Sequence, residues 1–369
     1  MTVGIVGAGQ LGRMLALAGY PLGLDFLFLD PAREAPAGRI APVLHGSFTD
    51  PKLLSRLARE CEVLTFDWEN VSVEALRAHA AAAHGARICP PIRALATGQD
   101  RVAEKRLFER LGIPTTRWRA VASRSQLERA LRDVGVPGLL KTRRLGYDGK
   151  GQVRVKTPED AHRGWEELGE APLIYEEWVP LDCEVSIIGA RSASGATAIY
   201  PLNGNVHSHG ILRLTRAPYG PARWQRLAAG YLGRCLAHFR YVGVLAIEFF
   251  VRDGRLIANE MAPRVHNSGH WTIEGCVTSQ FENHLRAILG LPLGSTRPVG
   301  FSAMVNLIGE IPPREGLLAR EGLHLHDYGK QPRPGRKVGH CTFVAPAAAG
   351  RDRWARGLLA ELAPGVRIP

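Results

Sequence analysis

Residues 242–270, reading VGVLAIEFFVRDGRLIANEMAPRVHNSGH, constrain this chain more than any other stretch. The run 244–251 is β-branched and aromatic enough to form a strand, and 255–259 forms a second one across Asp253-Gly254. Glu248 interrupts the apolar run of the first strand and Glu260 closes the second, where hydrophobic side chains would be easier to bury. Opposed residues of an antiparallel pair share a face. With a three-residue loop, Asp253-Gly254-Arg255, Glu248 lies opposite Glu260. Two like charges ~4 Å apart repel by roughly 4 kcal/mol at an effective dielectric near 20. Magnesium would turn that repulsion into ligation, because it takes one or two carboxylates together with phosphate oxygens. The alternative is a surface hairpin whose glutamates point to water.

The next segment crowds Asn259, Glu260, Arg264, His266, Asn267, Ser268 and His270 into a short run broken by Pro263 and Gly269. Polar loops that follow a strand commonly carry a site. His266 and His270 have a spacing that suits a metal on a helix, but Gly269 and the lack of a third ligand argue against zinc.

The chain opens with an apolar strand running into Gly7-Ala8-Gly9-Gln10-Leu11-Gly12 and a helix from about Arg13, a combination that cradles phosphate on backbone N–H groups. A second strand, 24–29, ends at Asp30, where a dinucleotide fold places its ribose-reading acid. A lone GxGxxG is a weak signal, and taken alone it would leave a nicotinamide oxidoreductase as the runner-up, but no hydride site is recognisable elsewhere. A strand at 63–66 leads into Asp67-Trp68-Glu69-Asn70, and an alanine-rich helix near 74–84 supplies packing. Pro90-Pro91 marks a boundary, after which Asp100-Arg101 opens a helix through Leu111. The strand 139–141 ends at Lys141, and 143–152 forms a hairpin tip with three glycines and several cations. Such a tip permits both close approach to phosphate and motion, as a lid requires; a basic solvent turn is the plainer reading. Glu184 interrupts an otherwise apolar strand, 184–189. Strands at 198–201 and 211–214 flank a polar segment, 203–209, and 221–241 is an amphipathic helix. A helix over 279–289 ends at Gly290; strands near 302–308 and 341–344 then bracket the basic stretch 328–340.

At 369 residues the chain is long enough for two or three domains. It has no apolar run of membrane-spanning length and enters a strand directly, so a cytoplasmic location is expected. Its six cysteines are scattered without CxxC spacing and read as reduced thiols. The net charge of +12 is spread without a compact basic tract, which points to an anionic small molecule rather than nucleic acid.

The run NEMAPRVHNSGHWT resembles the signature of ATP-grasp enzymes, specifically the biotin-independent carboxylases that make N5-carboxyaminoimidazole ribonucleotide in purine synthesis, and the likeness extends over nearly the whole chain. The resemblance implies an α/β (α+β) three-domain ATP-grasp fold. A Rossmann-like N-terminal domain would span 1–96, and an ATP-grasp domain 97–292 with a mobile lid at about 113–178. A small β-rich C-terminal substrate-binding domain would span 293–369. It also implies ATP with Mg²⁺ or Mn²⁺ as cofactors, 5-aminoimidazole ribonucleotide and bicarbonate as small-molecule partners, and a homodimer. The formate-dependent ATP-grasp glycinamide ribonucleotide transformylases share the layout, but their signature matches 264–270 less well. A nucleotide-binding scaffold without catalysis is a further reading.

Carried onto this sequence, the resemblance gives Glu248 and Glu260 the metal, with Asn259 assisting. Arg101, Lys141 and His207 would face the nucleotide phosphates. Gly146, Tyr147, Asp148, Gly149, Lys150, Gly151 and Gln152 form the lid tip, with Tyr147 and Asp148 turned to the imidazole. Glu176, Glu177, Trp178 and Val179 would make the adenine pocket and hinge, and Glu184 would bond the ribose. Arg264 would add charge around the transferred group, while His266 and Asn267 orient bicarbonate or the amine. Gln10, Leu11, Glu69, Lys330, Arg336 and Lys337 would contact the ribonucleotide. The family pattern has an acid at the position of Asp67 as well as Glu69, so Asp67 is a conservative departure and Asp30 reads as a strand-end cap.

Overall fold

A computed structural model of the chain describes residues 1–80, 86–146, 151–169, 171–366 and 368. The first unit is a five-stranded parallel sheet in the order Val43–His45, Asp25–Asp30, Thr2–Val6, Val63–Phe66, Arg87–Ile88. Its strands read as continuous apolar runs because helices cover both faces. The order reverses between Thr2–Val6 and Val63–Phe66. Their carboxyl ends therefore bring the glycine turn and Asp67 together at the switch point of the sheet.

A four-stranded antiparallel sheet stands apart, ordered Trp118–Val121, Leu173–Glu177, Gly138–Thr142, Gln152–Val155. Helices Arg124–Val134 and Pro158–Leu168 pack on it around Leu127, Leu140, Leu173 and Tyr175. Ser123 caps the first helix, and Thr157 with Asp160 forms a capping box on the second.

The largest sheet has nine strands. From one edge it runs Arg255–Ala262, Gly243–Arg252, Cys183–Arg191, Asn203–Ser208, Ile211–Ala217, Phe301–Ile308, Lys337–Ala345, Leu323–Asp327, with Thr197–Ile199 beside Cys183–Arg191. Two features depart from the sequence reading. The polar segment after Tyr200 is not a loop between strands: Asn203–Ser208 is itself a central strand, bonded to both neighbours. Polarity hid it because its alternate residues Asn203, Asn205 and His207 face other polar groups. The strands after residue 300 also continue the central sheet, since Ile211–Ala217 pairs antiparallel with Phe301–Ile308.

The hairpin that organises the sequence is present, with a different turn. Arg252 pairs with Arg255, leaving a two-residue loop in which Asp253 (φ 50°) and Gly254 (φ 70°) are both left-handed, as a tight hairpin turn requires. That loop alone would set Asn259 opposite Glu248. A bulge at Asn259 shifts the register by one, and Glu248 meets Glu260 as expected but for another reason. Helix Ala222–Phe239 covers the back of this hairpin, with Leu232, Leu236 and Phe239 packed near Ile247, Phe249 and Leu256.

Candidate active site

The opposed carboxylates lie on the edge of the large sheet, each beside a basic group. Arg101 Nη1 is 3.2 Å from Glu260 Oε2, and His266 Nε2 is 3.4 Å from Glu248 Oε1. Burial pushes the Glu248 carboxyl up to about 7, Glu260 and Glu184 push the same way, and His207 and Lys337 oppose them. Burial, then Arg264 and Lys337, hold His266 well below the usual histidine range, so it offers Glu248 little positive charge. Two opposed carboxylates, with an amide at the intervening bulge, form an all-oxygen donor set suited to Mg²⁺. Among the described residues no group of three or more His, Cys, Asp or Glu is arranged to hold a metal.

Behind the acids lies a buried row of alternating charge. Glu176 is 1% exposed and lies between two lysines, Lys105 Nζ at 3.2 Å and Lys141 Nζ at 3.2 Å. Thr116 Oγ1 donates to the same carboxylate at 3.1 Å. Burial alone would raise Glu176, but Lys105, Lys141 and Arg101 hold it far below the carboxylate range. Burial lowers Lys141 despite the attraction of Glu176. Lys141, next to the end of its strand Gly138–Thr142, is thus tethered to Glu176. Of the hinge residues, Glu177 accepts from Arg117 Nε at 2.9 Å and pairs with Arg252 at 3.4 Å, Arg154 stacks 4.0 Å over Trp178, and Val179 is buried. The backbone N–H groups of Glu177 and Trp178 are taken as well, by the carbonyls of Arg117 at 2.9 Å and Pro137 at 3.1 Å.

Glu184 pairs with Nδ1 of His207 from the neighbouring strand, and although burial opposes it, that bond with Glu248 nearby raises His207 to about 9. His266 is fixed from both sides. Its Nδ1 meets Ser268 Oγ at 2.8 Å, while Gln280 accepts from its N–H at 2.9 Å and donates to its carbonyl at 2.6 Å. Ser268 continues to Ser186 at 2.8 Å, which accepts from Asn205 at 2.9 Å and Asn203 at 3.3 Å. Asn267 exchanges two amide bonds with Asn306, at 3.1 and 2.9 Å. A satisfied buried network of this kind fixes a loop in one geometry.

The residues expected to contact the ribonucleotide converge from three segments. Lys330 Nζ reaches Gln10 Oε1 at 2.5 Å, joining the C-terminal loop to the first helix, and Arg264 pairs with Glu69. Gln99 Nε2 holds the Glu69 carbonyl at 2.7 Å. Lys337 starts a strand near His207 and Glu248, acting electrostatically on both, whereas Arg336 bonds the Gln331 carbonyl at 3.1 Å in its own loop. Leu11 is 6% exposed and packed in the core, away from the groups named above.

The glycine turn is occupied from within. Asp67 accepts from Gly9 N at 2.6 Å and Gly12 N at 3.2 Å, and Asp30 from Ala8 N at 2.8 Å. A Cβ at Gly7 would sit 1.7 Å from Asp67 Oδ1. Asp30 thus caps the turn rather than awaiting a ribose. Of the lid tip, Gly151 lies in the left-handed region (φ 70°), its carbonyl accepts from Thr142 N at 2.9 Å, and Gln152 pairs with Lys141. Gly146 is partly buried, and Tyr147, Asp148, Gly149 and Lys150 lie outside the described residues.

Sequence reading passed over Lys105, Glu104, Gln280 and Asn306. The first had a signal: four residues after Arg101 on a helix, Lys105 shares its face.

The comparisons with known proteins agree with this geometry. The family model of the ribonucleotide synthetase preATP-grasp domain matches residues 1–99, that of the ATP-grasp domain 106–281, and that of the phosphoribosylaminoimidazole carboxylase C-terminal domain 302–352. These matches and the site together define an ATP-dependent ligase with the ATP-grasp fold. N5-carboxyaminoimidazole ribonucleotide synthase of Pseudomonas aeruginosa is 50% identical over 93% of this chain and 94% of that protein. The crystal structure of N5-carboxyaminoimidazole ribonucleotide synthetase from Thermus thermophilus superposes with a TM-score of 0.94 at 49% identity, covering 100% of both chains. A synthase from Aspergillus clavatus, solved in complex with ADP and 5-aminoimidazole ribonucleotide, gives 0.90 at 31% identity over 98% of each. The chain belongs to the N5-carboxyaminoimidazole ribonucleotide synthase family.

Proposed function

We propose that this chain uses ATP and bicarbonate to carboxylate the amine of 5-aminoimidazole ribonucleotide, giving N5-carboxyaminoimidazole ribonucleotide in purine biosynthesis. Bicarbonate oxygen attacks the γ-phosphorus of ATP, ADP leaves, and carboxyphosphate forms. The amine then attacks the carboxyl carbon, and phosphate departs with the electron pair of the C–O bond while the nitrogen loses a proton. Phosphorylation is needed because bicarbonate alone offers no leaving group.

The opposition of Glu248 and Glu260 carries this reading. Those carboxylates, with Asn259, would hold Mg²⁺, which supplies charge neutralisation across the phosphates when bound. Arg101 and Lys141 add fixed positive charge beside it. The neutral His266 and the amide of Asn267 are set to orient bicarbonate or the amine, with Arg264 and Glu69 next to them. Gln10 and Lys330, held together at 2.5 Å, would grip the ribonucleotide from both ends of the chain, with Lys337 and Arg336 extending the cationic wall. Tyr147 and Asp148 would close over the imidazole, and a closed lid would shield carboxyphosphate from water. The homodimeric state and cytoplasmic location belong to the same proposal; among the described residues no helix is long and apolar enough to cross a membrane.

Phosphate release measured with and without 5-aminoimidazole ribonucleotide, in bicarbonate, tests the reading. Release that depends on the ribonucleotide is expected. Release driven instead by formate and glycinamide ribonucleotide, or none at all, would overturn it.

A further inference from the structure

We infer that Lys105 is a positioning residue that sets both halves of the metal–nucleotide site: it clamps the bulge that brings Glu260 opposite Glu248, and through Glu176 it fixes Lys141. The inference rests on the functional reading above.

A tight two-residue turn gives the wrong register for two metal carboxylates, since a strand slipped by one residue turns every side chain to the other face. The bulge at Asn259 corrects this and interrupts the ladder with Gly243–Arg252, while on the outer side of the strand Ala258 bridges to Thr115 and its N–H bonds the Pro114 carbonyl at 2.7 Å. Lys105 supplies donors there. Its ammonium, 1% exposed, lies 3.3 Å from the Ala258 carbonyl and 3.0 Å from the Asn259 carbonyl. Thr115 Oγ1, itself 3.0 Å from Lys105 Nζ, donates to Ala258 O at 2.8 Å. One turn earlier on the same helix, Arg101 reaches Glu260, and Glu104 accepts from Met261 N at 2.6 Å. The helix Arg101–Arg110 therefore grips the bulged strand on both flanks of Asn259.

The charge of Lys105 has a second use. A buried carboxylate between two lysines divides its attraction between them, and Glu176 is 3.2 Å from each. Without Lys105, Glu176 would hold Lys141 alone and draw its charge away from the phosphates. Lys105 is 1% exposed and its ammonium is taken up by Thr115, Glu176 and two carbonyls, so it acts through these partners.

The test compares nucleotide binding with and without magnesium in the full chain. Wild-type protein, Lys105→Met and Glu176→Gln are titrated calorimetrically with ADP in EDTA and in Mg²⁺, and separately with 5-aminoimidazole ribonucleotide. Lys105→Met is expected to lose roughly 10- to 100-fold of the affinity gain that Mg²⁺ confers, the usual effect of removing support behind a metal ligand. Its ribonucleotide affinity should stay within about twofold. Glu176→Gln leaves the clamp in place, so it should keep the magnesium gain and change ADP binding in EDTA instead. A folded Lys105→Met with the wild-type magnesium gain overturns the inference. If Lys105→Met does not fold, Lys105→Gln, whose amide still reaches one carbonyl, carries the comparison: a reduced magnesium gain supports the inference and an unchanged gain overturns it. Wild-type protein that binds neither ADP nor the ribonucleotide would instead defeat the functional reading and not the role of Lys105.

Discussion

The N-terminal and central units both place carboxylates where a phosphate might be sought, to opposite ends. In the N-terminal turn, Asp67 and Asp30 accept the backbone N–H groups of Ala8, Gly9 and Gly12, so the feature that looks like a nucleotide cradle is closed by the chain's own acids. In the central unit, Glu176 pairs with Lys105 and Lys141, and Glu248 and Glu260 face each other across the hairpin beside His266 and Arg101. A glycine motif is evidence for a tight turn; whether it binds an anion depends on what already fills it. In the proposed function the phosphates are met by side chains on ordinary helices and strands.

Four experiments break or sharpen that contrast. Glu260→Gln should lower phosphate release by roughly 100- to 1000-fold, the range for losing a preorganised charge-stabilising group, with circular dichroism unchanged; a folded variant with wild-type turnover would place the metal elsewhere. Lys330→Ala should raise the KM for 5-aminoimidazole ribonucleotide about tenfold, in line with one charge-assisted hydrogen bond, and leave the KM for ATP alone. An unaltered ribonucleotide KM would remove Lys330 from that site.

Asp67→Asn should act on stability and not on nucleotide binding. The amide keeps one acceptor and adds a donor facing backbone donors, so a loss of about 1–3 kcal/mol is expected in denaturant melts. The pH profile separates the charge from the fold. Burial pushes the Asp67 carboxyl from 3.8 up to about 6, so the folded chain holds its proton where the unfolded chain has released it. Its contribution is therefore full below pH 4 and is lost as pH rises through 6, on the order of 3 kcal/mol. The difference in stability between wild type and Asp67→Asn should shrink over that window; a constant difference would show that Asp67 is not protonated in the folded state. The smallest effect is a null one: NADH titrated by fluorescence should give no saturable signal, because the turn that would take its pyrophosphate is filled.

Much of this was legible in the sequence because the strands and caps obey local rules. Ser279 and Gly290 bound the helix Gln280–Leu289, and Glu248 and Glu260 stood out as acids in apolar strands. The bulge was not legible: a three-residue turn and a two-residue turn plus bulge give the same pairing, and only backbone geometry distinguishes them. The strand Asn203–Ser208 was hidden because its inward face packs against the serine–asparagine network instead of an apolar layer. Lys105 was missed since a lysine on a helix normally faces water, and its burial depends on Glu176, 71 positions away.

Because Arg255–Ala262 and Leu323–Asp327 are the two edges of one uninterrupted sheet, Glu260 and the strand that leads to Lys330 are mounted on a common beam. Their separation is a property of construction, like the span between two fixtures on one girder. The four-stranded sheet has its own core around Leu127, Leu140 and Tyr175 and shares no ladder with that girder.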